Sequence, residues 1–261
     1  AHFEPYNDRL TIDTVSDGVE FEFYNAQATF AGNLLLRPAG LIGGGIMSLD
    51  KAKVNSNLFT YNANWFEGDT TSLRVYEIDG NVAIKATNIK SHIDLALREG
   101  NFYSNGSDSY VEFPANQYIS YIDQLQWSME EEFFILGNKI SDGGGSRFIS
   151  IYPLQDSLSF VAKTAEYSLK DYVIYANGVE SIAVADAIIY PDSGIVTVEK
   201  KAVIQTLYGA KILANNLTEY HTFANASVDI KSANKYTASG DYTYIDAMNQ
   251  KQQIFFKEIR V

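Results

Sequence analysis

Residues 19–30 read VEFEFYNAQATF, and their pattern predicts the fold class of the whole chain. From Val19 to Phe23, apolar and acidic residues alternate, which is the two-residue period of a strand with one buried face. After Phe23 the phase shifts by one residue, and the apolar set becomes Tyr24, Ala26, Ala28 and Phe30. Because one inserted residue moves every later side chain to the opposite face, we expect a β-bulge at Phe23 and Tyr24.

The same period returns along the chain in short runs bounded by Gly, Asn, Asp or Ser. It is clearest at Leu158, Phe160 and Ala162, at Val196 and Val198, at Ala226, Val228 and Ile230, and at Tyr242 and Tyr244. The composition agrees, because 18 Tyr and 15 Phe against 5 Pro favour pleated, half-buried strands. The sequence therefore predicts an all-β protein, which ends in a hairpin with its turn around residues 247–251.

Residues 123–137, DQLQWSMEEEFFILG, allow two interpretations. A helix would begin after Asp123 as its N-cap, end at Gly137, and carry an apolar stripe at Leu125, Met129, Phe133 and Leu136. A hairpin would instead use the alternation of Leu125, Trp127 and Met129, with a turn at residues 130–132. The β character of the neighbouring segments favours the hairpin.

A short motif, Ala-x-Val or Ala-x-Ile, recurs along the chain, beginning at Ala52, Ala187, Ala202, Ala210 and Ala226. In the C-terminal half its alanines are 15, 8 and 16 residues apart, as expected for strands of ordinary length with one recurring small layer. The motif predicts repetitive strands, in either a β-solenoid-like stack or an extended β-sheet or β-roll. We expect two related lobes, residues 1–140 and residues 147–261, separated by the glycine-rich run 141–146.

Residues 40–47, GLIGGGIM, resemble a phosphate-binding loop only in glycine content. A Walker loop needs Lys and then Ser or Thr after its last glycine, where this chain has Ile46 and Met47. The dinucleotide fingerprint needs a following helix, and residues 48–57 carry no helical stripe. We therefore expect these glycines to supply unusual backbone angles or close packing in a β-turn.

Charge and composition exclude several classes of partner. A formal charge of −12 disfavours nucleic acid and anionic lipid surfaces, and the absence of Cys excludes disulfides and cysteine-based zinc sites. No apolar run approaches the ~20 residues of a transmembrane helix. We expect a chain with no transmembrane segment that does not bind nucleic acid.

The sequence shows no catalytic, cofactor-binding or metal-binding constellation. His2, His92 and His221 are scattered, and the single-Asp turns near Asp69, Asp108 and Asp192 match no calcium loop. The acidic run Glu130, Glu131 and Glu132 lies beside Trp127, but neighbouring carboxylates diverge, and glycoside hydrolysis needs two that face each other. We expect no cofactor and no enzymatic activity.

Aromatic residues near polar loops are the remaining binding candidates. Tyr and Trp on a concave β surface can stack on sugar rings, although core packing or cross-strand pairing is the more common role of aromatics, which are enriched in strands. The candidates for glycan contact are Trp65, Tyr103, Tyr110, Tyr118 and Trp127.

Four segments resemble very long, repetitive all-β proteins of bacterial cell envelopes, whose function is uncharacterised: GNLLLRPAGLIGGG, VEFPANQYIS, VADAIIYPDSGIVTVEKKAVI and ASGDYTYIDAMNQKQQIFFKEI. The region from VADAIIYPDSG to Ala214 is also similar to periplasmic lipopolysaccharide-transport proteins, whose open β-rolls carry acyl chains. The resemblance implies an exported envelope or extracellular protein, acting as a non-catalytic structural or interaction module with other envelope proteins, glycans or lipid as partners. A glycan-binding or polysaccharide-active β-solenoid and a lipid-carrying β-roll are the alternatives. Because the chain begins with Ala1 and His2, we expect a processed chain or part of a longer one.

Overall fold

The structure is a computed structural model that describes residues 1–6, 8–14, 18–137, 144–215 and 221–261. Within these ranges the chain is built from antiparallel strands, with two single turns of 3-10 helix at Pro153–Gln155 and Lys200–Ala202. The all-β fold class is therefore confirmed, in the form of extended antiparallel sheets. Every strand pairing with a defined register is antiparallel, as in a meander of hairpins.

The chain divides into two compact units. The first comprises Ala1–Pro114 and Ile122–Phe134. Its strands are β1 (His2–Glu4), β2 (Arg9–Asp13), β3 (Phe21–Phe23), β4 (Ala28–Arg37), β5 (Gly40–Ser48), β6 (Ala52–Tyr61), β7 (Trp65–Tyr76), β8 (Val82–Asp94), β9 (Glu99–Ser104), β10 (Tyr110–Phe113) and β12 (Gln124–Ser128).

The second unit comprises Ala115–Tyr121 and Ile135–Val261. Its strands are β11 (Tyr118–Tyr121), β14 (Ser146–Ser150), β15 (Ser159–Ala162), β16 (Thr164–Ser168), β17 (Val173–Asn177), β18 (Ile182–Val184), β19 (Ala187–Tyr190), β20 (Ile195–Val198), β21 (Leu207–Ala214), β22 (His221–Ser232), β23 (Lys235–Ile245) and β24 (Lys251–Arg260). Strand β13 (Phe133–Gly137) contains the point of division. Residues 141–143 of the predicted boundary run 141–146 lie outside the described residues, and the lobes 1–140 and 147–261 stay a prediction.

In the first unit, each strand from β4 to β9 pairs with the next. Strand β8 changes partner at Asn88, which has a positive φ of 53°. Its first half pairs with β10 and its second half pairs with β9, which in turn pairs with β12. The core contains an aromatic cluster with neighbouring ring centroids 5.1 to 6.5 Å apart, made of Phe23, Phe30, Phe59, Tyr61 and Phe66.

The predicted bulge at Phe23 and Tyr24 is wrong, because the chain reverses direction there. Strands β3 and β4 form a hairpin in which Phe21 faces Phe30 and Phe23 faces Ala28. Tyr24, Asn25 and Ala26 all have positive φ, between 54° and 62°, in the turn that joins the strands. The phase of the apolar pattern shifted because two strands and a turn occupy the segment.

The expectation of a β-turn in the glycine-rich run is also wrong, whereas the expectation of close packing holds. Residues Gly40–Ser48 form β5, which is paired on both sides. A Cβ at Gly45, where φ is +152°, would lie 2.1 Å from the carbonyl oxygen of Ala31, and one at Gly43 would lie 2.3 Å from that of Asn33. Glycine therefore lets β4 and β5 approach closely in mid-sheet.

The hairpin interpretation of residues 123–137 is confirmed. Strands β12 and β13 are separated by a turn, in which the amide of Glu132 donates to the carbonyl oxygen of Ser128 over 3.1 Å. The predicted C-terminal hairpin is likewise present, because β23 and β24 pair through a turn closed by a hydrogen bond from the Asp246 amide to the Gln250 carbonyl oxygen.

The described part of the second unit contains three ladders of antiparallel strands. The longest is a six-stranded sheet in the order β18, β19, β21, β22, β23 and β24. The other two are short: one comprises β11, β14 and β15, and the other comprises β16, β17 and β20. The buried amide nitrogen of Asn116 joins the two short ladders, because it donates to the carbonyl oxygens of Tyr172 at 2.9 Å and Val198 at 3.0 Å.

The repeated Ala-x-Val and Ala-x-Ile motifs face the core. All five alanines are buried, and so is the branched residue two positions after each, at Val54, Ile189, Ile204, Ile212 and Val228. Four of the motifs lie in strands, whereas Ala202 closes a 3-10 turn. Small and branched side chains therefore alternate along the buried face of the sheets.

The close approach at β5 predicts a position-dependent cost of adding a methyl group. We expect Gly45→Ala to lower the free energy of unfolding by at least ~1 kcal/mol more than Gly40→Ala, measured by urea denaturation. Both glycines have positive φ, which strains alanine at either position, but the space around Gly40 is open to 4 Å. Equal losses for the two variants would contradict the close-approach explanation.

Candidate functional site

A largely apolar groove lies on the sheet formed by β21, β22, β23 and β24. One row of paired residues crosses these strands, from Ile212 through Phe223 and Tyr242 to Ile254. The exposed fraction rises along it from 0% at Ile212 and 8% at Phe223 to 40% at Ile254. The face that forms the core at β21 thus stays apolar but is open to solvent at β24.

The groove has a volume of 920 Å³. Its floor is aromatic: the ring of Phe223 lies 5.4 Å from those of Tyr242 and Phe256, and the Phe256 ring stands edge-on to both. Aliphatic side chains of Ile254, Ile259 and Val261 extend the lining. This volume is near the upper end of the ~300–1,000 Å³ of small-molecule sites, and the lining favours an apolar ligand.

Polar groups lie around this apolar floor. The Nδ1 atom of His221 lies 3.1 Å from the hydroxyl oxygen of Tyr242. Asp186 is the one acidic residue that lines the groove among the described residues. Burial, and secondarily the charge of Asp186, raises the pKa of Tyr236, so its hydroxyl stays neutral at physiological pH. The groove therefore combines an apolar floor with a few hydrogen-bonding groups, as amphipathic ligands require.

Two of the aromatic residues predicted for glycan contact are buried. Tyr118 is 0% exposed, and its hydroxyl donates to Oε1 of Gln155 over 3.1 Å. Trp127 is 5% exposed and stacks on Phe134 with ring centroids 5.4 Å apart and an interplanar angle of 8°. Both rings therefore pack in the core, which is the alternative role that the sequence analysis gives for aromatics in strands.

Trp65 and Tyr103 lie on one face of the first unit. Trp65 pairs in register with Asp94, and Tyr103 pairs with Lys90, two even-numbered positions of β8 that share a face. The Trp65 ring lies 4.8 Å from the ring of His92, which is on the same face. Tyr110 is on β10, beyond the point where β8 changes partner. The structure therefore places two of the five predicted aromatics on a common half-exposed surface.

The acidic run after Trp127 forms a turn. Within it Glu132 makes an ion pair with Lys51, and Glu130 and Glu132 border a cavity of 270 Å³ together with Arg98. In the described part of the chain, no three His, Cys, Asp or Glu residues come together as metal ligands. Over the same residues, the chain forms no helix with the length and hydropathy needed to cross a bilayer.

The groove residues were missed in the sequence, although a signal was present. Residues 254–256, Ile-Phe-Phe, place apolar side chains on both faces of one strand, whereas a half-buried strand has polar residues on one face. The excess apolar residue marks a strand with an uncovered apolar surface. Strand spacing alone did not show that Phe223, Tyr242 and Phe256 converge.

Comparison with models of known protein families and with curated protein sequences finds no match to this chain.

Burial of Tyr118 predicts a stability effect that a surface tyrosine would not show. We expect Tyr118→Phe to lower the free energy of unfolding by about 1–2 kcal/mol, because it leaves the buried Oε1 of Gln155 without this donor. Tyr208→Phe is the matched control, since Tyr208 is 74% exposed, and its effect is expected within about 0.5 kcal/mol. Equal midpoints for both variants in urea denaturation would be inconsistent with this role.

Proposed function

We propose that this chain is a non-catalytic interaction module of the bacterial cell envelope or surface, and that its C-terminal groove binds an acyl chain of a lipid. The observation that supports the proposal is the apolar face that is buried at Phe223 and open to solvent at Ile254 and Phe256. An apolar surface of this extent in water is costly unless a ligand or partner covers it. The envelope setting rests on the resemblance of the sequence to repetitive β proteins of bacterial envelopes.

An extended hydrocarbon chain suits this groove better than a polar solute. Its floor offers rings and branched aliphatic side chains, and its polar groups, His221 and Asp186, are exposed. Roughly ten buried methylenes would contribute ~8 kcal/mol of gross hydrophobic free energy, which offsets the cost of immobilising one chain. A polar headgroup would remain in solvent beside the exposed side chains.

Binding of labelled palmitate tests the acyl-chain proposal. We expect the purified chain to bind a fluorescent palmitate, and Phe256→Ser to raise the dissociation constant by about tenfold, because Phe256 lines the groove. Phe255→Ser is the matched control: it is the adjacent residue of β24, pairs with Asp241 and lies on the opposite face, so less than about a twofold change is expected.

Two results would count against acyl binding. One is the absence of probe binding by the wild-type chain, together with the absence of co-purified lipid in native mass spectra of several preparations. The other is an equal effect of the two serine variants, which would separate probe binding from the groove. Urea denaturation of both variants establishes that each remains folded.

Glycan binding by the Trp65 surface is a second candidate, favoured by a specific arrangement. Beside Trp65, Nδ1 of His92 lies 3.6 Å from Oε2 of Glu67, and Asn101, paired with His92, accepts a hydrogen bond from Gln126 over 3.3 Å. An aromatic ring flanked by imidazole, carboxylate and amide groups provides the stacking and hydrogen-bonding groups that sugars use. The residues of this surface belong to the first unit, whereas those of the acyl groove belong to the second.

Retention on insoluble polysaccharide tests this second candidate. We expect Trp65→Ala to reduce retention on peptidoglycan by about tenfold through loss of the stacking ring, and Tyr208→Ala, at an exposed position of the second unit, to leave it unchanged. Retention that is indifferent to Trp65, or absent in the wild-type chain, would remove this candidate.

A further inference from the structure

We propose that two copies of this chain associate by pairing their β24 strands antiparallel, about a two-fold axis between Lys257 and Glu258. The inference goes beyond the proposed function and does not rest on it. Three observations support the pairing: the exposed edge of β24, the match of its two faces in one register, and the complementary charges of Lys257 and Glu258.

Strand β24 is an exposed sheet edge of unusual length. It has ten residues, and among the described strands only β23 pairs with it. Three consecutive apolar side chains are exposed on it: Ile254 at 40%, Phe255 at 59% and Phe256 at 39%. A long apolar edge is a template for another strand, and proteins usually shorten or cover such edges. By contrast, the N-terminal strands β1 and β3 have three residues each.

A bulge in β24 determines which faces meet in a self-paired sheet. The register with β23 passes from Gly240 opposite Phe256 to Ala238 opposite Ile259, so β24 contains one extra residue. As a result Ile254 and Phe256 share the groove face with Ile259 and Val261. In a regular strand, even-numbered and odd-numbered residues would lie on opposite faces. Phe255 and Arg260 lie on the outer face.

Because of this extra residue, one two-fold register of β24 with a second β24 places side chains of the same face opposite each other. When Lys257 lies opposite Glu258 of the second copy, Phe256 meets Ile259 and Ile254 meets Val261, all on the groove face. On the outer face Phe255 meets Arg260, a pairing of a cation with an aromatic ring. A regular strand in this register would place groove residues opposite outer-face residues.

The charges at the axis are complementary in the same register. The two-fold operation generates the Lys257–Glu258 pair twice, because contacts across such an axis are reciprocal. Within its own chain Glu258 also pairs with Arg260, which keeps its carboxylate between two cations in the dimer. A second copy of this chain is therefore the partner whose faces and charges match β24. The two grooves would join across the axis through Phe256 and Ile259.

Charge reversal at the axis tests the pairing by sedimentation equilibrium of the full chain. We expect wild-type dimers, and in Lys257→Glu and in Glu258→Lys a dimer dissociation constant higher by at least about tenfold, because each creates like charges opposite each other. Mixing the two variants should restore association as a heterodimer, since each acidic edge then meets a basic edge. The double variant Lys257→Glu/Glu258→Lys should dimerise like the wild type.

Other outcomes would overturn the proposal. A wild-type chain that stays monomeric at every accessible concentration would do so, and single variants that dimerise normally would indicate a different interface, such as a head-to-tail contact. Failure of the mixed variants to associate would also exclude this register. Palmitate binding by the variants is a separate readout, because neither Lys257 nor Glu258 lines the groove.

Discussion

Backbone hydrogen bonding between antiparallel neighbours, with one face of each strand withheld from water, is the interaction on which this structure depends. Every strand needs a neighbour to satisfy its amides and carbonyls, and almost every strand buries alternate side chains. The buried alanines and branched residues of the repeated motif show this on the inner face. At β4 and β5 the same pairing requires glycine, because a side chain at Gly45 would meet the neighbouring backbone.

The C-terminal strands satisfy this requirement only in part. Their apolar face continues from Ile212 to Ile254, while the cover that buries its beginning is missing at its end. The outer edge of β24 is also incomplete in its hydrogen bonding, because a strand paired on one side has unused backbone donors and acceptors on the other. Acyl binding would cover the face and self-pairing would cover the edge, so the two proposals address different incomplete surfaces of one sheet.

Local pattern predicted the strands well and their connections less well. The hairpin at 123–137 was correctly favoured, because its alternating residues need only near neighbours to form strands. The shift of phase after Phe23 carried less information, since a bulge and a tight turn displace the pattern alike. In the glycine-rich run, composition indicated unusual backbone, but only the positions of Ala31 and Asn33 on β4 show a close approach within a strand.

The sequence by itself determined that the chain is all-β and which side chains alternate toward the core. It could do so because a two-residue period is a local property of the backbone. Only the tertiary structure decided which aromatics are covered. Tyr118 and Trp65 both lie in β segments with similar neighbours, yet Gln155 and Phe160 enclose the first, whereas the second lies on an outer face. Convergence of Phe223, Tyr242 and Phe256 was decided in the same way, since burial and grooves depend on contacts between residues distant in sequence.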